Sequence, residues 1–113
     1  MITLLVGDNS FEIRRALDHI IESFDGQVEK VDGSTLEVKQ LPDLLMGATL
    51  FAEKRLVVIK DLSENTGLWT TLVDWLPRLS EDTHLVLVEE KPDKRTKTFK
   101  ELQKIAKVKE FKA

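Results

Sequence analysis

Apolar residues along this chain follow two rhythms. Ile2 to Val6, Leu56 to Ile59 and Leu85 to Val88 are dense runs with β-branched members, the pattern of strands buried on both faces of a parallel sheet. Gly7 ends the first run, and an acidic residue follows each of the other two within two positions. Ile13, Ala16, Leu17, Ile20, Ile21 and Phe24 instead recur at spacings of three and four, which predicts an amphipathic helix from near Phe11 to Asp25-Gly26. Asn9 or Ser10 can cap it, with Glu12 three residues beyond Asn9.

The weaker signals fill the intervals. Val28 to Asp32 alternates apolar and polar residues before Gly33, as a short strand near a sheet edge does. Residues 34 to 52 read as capped helix followed by irregular chain, with Pro42 dividing two short helices and Gly47 ending the Asp43 to Met46 segment. Leu68, Trp69, Leu72, Val73, Trp75 and Leu76 give a helix stopped at Pro77. Phe99, Leu102, Ile105 and Ala106 give another, before a possible fifth strand at Val108 to Phe111. The order β-α-β-α-β-α-β-α-β predicts the α/β class, a three-layer parallel sheet of about five strands with helices on both faces.

Composition narrows the class. A chain of 113 residues that is 42% hydrophobic is sized for one domain, here 1–113. It has no cysteine, which excludes disulfides, thiolate metal sites and a catalytic Cys. Met1 to Gly7 is too short and wrongly flanked for a signal peptide, and no apolar run reaches the roughly 18 residues of a membrane span. A cytoplasmic setting without membrane contact is expected. Charge is uneven: residues 1 to 90 carry 8 basic and 17 acidic side chains, residues 91 to 113 carry 9 and 3.

Function in such sheets gathers at the carboxyl ends of strands, here Gly7-Asp8-Asn9, Asp61 and Glu89-Glu90. A phosphate loop would need GxxxxGK[ST] after the first strand. The residues there, Gly7 to Arg14, lack the second glycine, the lysine and the hydroxyl, and Asp8 and Glu12 put negative charge where phosphate would sit. No nucleotide site, cofactor or metal is expected. The alternative is a receiver-type phosphoacceptor signalling domain using Asp8 and Asp61, with Lys109 or Lys112 as a loosely placed lysine. Against it, Asp8 is followed by Asn9, a weaker ligand for a hard cation than a second carboxylate. His19 and His84 have no metal-binding spacing. Glu89 and Glu90 point to opposite faces of a strand and read as surface charge.

The most distinctive stretch is Thr49-Leu50-Phe51-Ala52-Glu53-Lys54-Arg55, two large apolar residues before a charged turn into a strand. It resembles the "PLF" or "SLF" motif of DNA polymerase III delta subunits. Leu4-Leu5-Val6-Gly7-Asp8 is similar to that family's opening, and Lys91-Pro92-Asp93-Lys94-Arg95 to its stretch after strand four.

The resemblance implies a degenerate P-loop NTPase (AAA+-like) fold and a non-catalytic role in DNA replication. The domain would be the clamp-binding part of a clamp loader, the complex that opens the ring-shaped sliding clamp and loads it onto primed DNA. Leu50 and Phe51 would grip the clamp, with Lys54 and Arg55 as a charged rim. Full-length members continue into a small helical lid and a collar that joins the loader's subunits; neither is encoded before Ala113, and a truncated subunit is expected. Lys97, Lys100, Lys104 and Lys107, read as one side of the last helix, are candidates to face DNA or another loader subunit, although a lysine stripe is more often the solvated face of an amphipathic helix.

Overall fold

The computed structural model describes residues 1–47 and 54–113. Its strands are β1 (Ile2–Val6), β2 (Gln27–Asp32), β3 (Arg55–Lys60), β4 (Thr83–Glu89) and β5 (Lys107–Glu110). Its helices are α1 (Ser10–Ser23), α2 (Leu41–Met46), α3 (Thr66–Trp75) and α4 (Lys97–Ile105).

Local chemistry sets the element ends. Asn9 Oδ1 accepts the Glu12 amide at 3.1 Å, satisfying one of the orphan donors of α1. A 3₁₀ turn at Val38–Gln40 precedes α2, which carries Pro42 in its first turn and stops at Gly47. The expected division around Pro42 is this change from 3₁₀ to α geometry. Pro77 lies in a second 3₁₀ turn, Leu76–Arg78, that follows α3. Thr96 caps α4, its Oγ1 accepting the Phe99 amide at 3.2 Å, and also accepts Trp69 Nε1 at 3.1 Å. One hydroxyl thus joins α3 to the start of α4.

All pairings are parallel, in the order β2-β3-β4-β1-β5. The dense apolar strands β1, β3 and β4 are interior, and the alternating β2 lies at an edge. On one face Leu4, Val57, Ile59, Leu85 and Leu87 pack against Leu41 and Leu45 of α2, Leu68 and Leu72 of α3, and Phe99 and Leu102 of α4. On the other, Leu5, Leu56, Val58 and Val86 lie under Ile13 and Leu17 of α1. Successive strand residues alternate between the two layers, as the period of two requires.

The strand order overturns the receiver reading. In the receiver-like order 2-1-3-4-5, β1 and β3 are neighbours and their carboxyl ends share a site. Here β4 stands between them, so the backbones bearing Asp8 and Asp61 are two strand spacings, roughly 9 to 10 Å, apart. Right-handed crossovers allow both orders, which is why the pattern of elements did not separate them.

Candidate functional site

At the carboxyl end of the sheet the turn after β1 is closed by the chain's own backbone. Gly7 N–H donates to the Glu89 carbonyl at 3.0 Å, Asn9 N–H to the Phe111 carbonyl at 3.1 Å, and Phe111 N–H to the Val6 carbonyl at 2.8 Å. Ala113 N–H donates to Asp8 Oδ1 at 2.8 Å. Gly7 has φ 137°, and a Cβ there would sit 2.0 Å from the Phe111 carbonyl oxygen, so glycine is required twice over, by conformation and by contact. Two of the amides that a phosphate-binding turn would offer, those of Gly7 and Asn9, are therefore engaged with carbonyls, and that of Glu12 with the Asn9 side chain.

Glu89 corrects the sequence expectation of a surface charge. It is fully buried, its Oε2 accepting the Leu62 amide at 3.0 Å and its Oε1 the Ser63 amide at 3.1 Å. These two bonds cap the 3₁₀ turn at Leu62–Glu64 that follows Asp61, itself left-handed at φ 59°. Burial pushes the Glu89 carboxyl up to about 7, and the nearby Asp61 charge adds to this, while its bonds with Ser63 and Leu62 oppose it. The acid at the end of β4 organises the turn after β3. An open hollow of about 350 Å³ beside these turns is lined by Arg14 and Lys60 as well as Asp61 and Glu90, opposite charges that give it no single polarity.

Leu50 and Phe51 lie in 48–53, outside the described residues. The two stems of that segment are described: Gly47 at the end of α2, and Lys54-Arg55 at the start of β3. Arg55 is 7% exposed. Its Nη2 donates to Glu29 Oε2 of β2 at 2.6 Å, while Nη1 donates to the carbonyls of Asp43 at 2.6 Å and Gly47 at 3.4 Å. A Cβ on Gly47 would meet the Asp43 backbone oxygen at 2.2 Å and Arg55 Nη1 at 2.8 Å, so the close approach of the α2 carbonyl demands glycine and the guanidinium adds to the crowding. Backbone bonds fix the rest: Gln27 N–H to the Lys54 carbonyl at 3.0 Å, Arg55 N–H to that of Asp82 at 2.9 Å, and Ser80 N–H to that of Leu45 at 2.9 Å.

The predicted rim pair is thereby split. Lys54 is exposed, but Arg55 is an interior cation, because the β2–β3 register sets it opposite Gln27 and within reach of Glu29. Nothing local in the sequence marks this; the pairing of strands creates it. The basic stripe is corrected in part as well. Lys97, Lys100 and Lys104 are exposed on α4, opposite buried Phe99 and Leu102. The helix stops at Ile105, however, and Lys107 is an exposed residue of β5.

A five-stranded parallel sheet with β4 between β1 and β3, and a turn after β1 sealed by its own C-terminal backbone, defines an AAA+-like domain in degenerate form. The family model described as "DNA polymerase III, delta subunit" matches residues 4–112, and the chain belongs to that family. Its fold is that of the delta N-terminal domain, a clamp-loader component of DNA replication. Among solved structures it is similar to the Bacillus subtilis DNA clamp loader delta protein (YqeN), with 21% identity and a TM-score of 0.80 over 98% of this chain. The chain spans 38% of that protein's length. No curated protein sequence matches it.

Proposed function

We propose that this domain binds the ring-shaped sliding clamp through Leu50 and Phe51 and helps to open it for loading onto primed DNA. The observation that carries this reading is the frame of 48–53. Two large apolar residues, in the position of the family's motif, lie between stems that one buried guanidinium and three backbone bonds tie to the body of the domain. Burying both side chains in an apolar pocket of the partner would contribute about 3 to 6 kcal/mol gross, enough for a central hot spot. Lys54, exposed immediately after the 48–53 segment, is the remaining candidate for the charged rim. Opening follows if the domain binds a distorted clamp interface better than the closed one, which shifts the ring's population.

The domain would join the other loader subunits through lid and collar domains such as longer family members carry. The test is binding to a purified bacterial sliding clamp. Leu50→Ala with Phe51→Ala is expected to weaken affinity by about tenfold or more while the thermal midpoint is retained. An unchanged affinity, or loss of the fold in the double variant, overturns the proposal.

A further inference from the structure

We infer that Arg55 is the positioning residue of the clamp-binding segment, setting the spacing and direction of its two stems. The inference rests on the clamp-binding reading of Leu50 and Phe51. It starts from an oddity: a buried cation opens a strand whose next four residues, Leu56 to Ile59, are apolar and buried. Strand pairing does not require it there, since the Arg55 backbone amide already bonds the Asp82 carbonyl.

The guanidinium instead reaches across to the other stem. Its targets, the Asp43 and Gly47 carbonyls, lie in the last turn of α2 and just beyond it; the Asp43 oxygen also accepts the Gly47 amide at 3.1 Å, so the guanidinium bonds to its second lone pair. A positive group is also favoured at that end of a helix. Gly47 is the last described residue before 48–53, and Arg55 is the second described residue after that segment. A single side chain thus bridges entry and exit, and Glu29, from a third element, fixes the fork's other nitrogen.

The fork matters more than the charge. A planar guanidinium can direct Nη1 to carbonyls and Nη2 to a carboxylate in one fixed geometry, whereas an ammonium on a flexible stem cannot span both. Fixing the two stems before binding lowers the ordering cost of association. Gly47 lets the chain turn close against the Asp43 carbonyl, 2.2 Å from where a Cβ would sit, and leaves room for Arg55 Nη1 at 2.8 Å.

Arg55→Lys keeps the charge and removes the fork. The chain has no cysteine, so Ala52→Cys gives one dye site in the segment and Gln103→Cys, exposed on α4, a control. In Arg55→Lys, dye anisotropy should fall at position 52 and hold at position 103, and affinity for a purified sliding clamp should drop about fivefold, mainly through faster dissociation. Should Arg55→Lys not fold, Glu29→Gln replaces it, with the same selective fall in anisotropy and a loss of about twofold. Unchanged anisotropy at 52, or an equal fall at both sites, overturns the inference. Parent-like clamp affinity in Arg55→Lys, when Leu50→Ala with Phe51→Ala does weaken binding, overturns it too and leaves the clamp reading intact. If that double variant binds like the parent, the clamp reading fails, and the two anisotropies alone decide whether Arg55 positions the segment.

Discussion

Glu89 shows how one buried carboxyl makes stability depend on pH. An ordinary glutamate ionises near 4.5, and burial raises Glu89 to about 7. Between those values the folded chain retains a proton that the unfolded chain has released, so raising the pH through this window removes stability, and the loss is complete above it. The size is on the order of 3 kcal/mol. His84, whose ionisation burial pushes down from 6.5, works in the opposite sense: its contribution is present above 6.5 and lost as the pH falls. Thermal midpoints of the parent and Glu89→Gln, compared from pH 5 to 8, separate the two. The parent should lose stability relative to the variant as pH rises, and parallel profiles would contradict the assignment. Glu89 and Arg55 were both misread from sequence for one physical reason: the amides of Leu62 and Ser63, like the carboxylate of Glu29, come from other elements that only the strand register brings near.

At the scale of elements, apolar density was a faithful guide, because β1, β3 and β4 need hydrophobic side chains on both faces wherever they sit in the order. Boundaries were harder. The apolar period through Phe99, Leu102, Ile105 and Ala106 has no glycine or proline to mark its end, and so Lys107 read as helical although it begins β5. The cationic face of α4 is therefore Lys97, Lys100 and Lys104. We expect their joint replacement by alanine to change fold stability by no more than about 0.5 kcal/mol each, as exposed substitutions do. If this face meets DNA phosphates, the replacement should also flatten the salt dependence of DNA binding, by about 0.9 in the log–log slope for each phosphate no longer neutralised. A slope already near zero in the parent would exclude DNA as the partner of this face and leave a neighbouring subunit or solvent against it.

For the whole molecule, the class of fold was legible and the strand order was not. Crossover handedness and helix placement are the same whether β4 or β1 lies beside β3, and the choice decides whether Asp8 and Asp61 could meet. The missing glycine and lysine of the phosphate loop were visible in the sequence. What occupies that turn was not, since Phe111 and Ala113 lie a whole chain length away from Gly7 and Asp8. With the Gly7 and Asn9 amides bonded to carbonyls, millimolar ATP with Mg²⁺ is expected to leave the thermal midpoint where it is. An upward shift would mean that the turn can open and bind.

That sealed turn also bears on timing. In a machine driven by nucleotide exchange, a part whose phosphate turn is permanently filled by its own backbone has no internal clock. If the domain holds the ring as proposed, that hold would be the same at every stage of the cycle, and release would have to be imposed by neighbours that move the whole domain rather than by any change of shape within it.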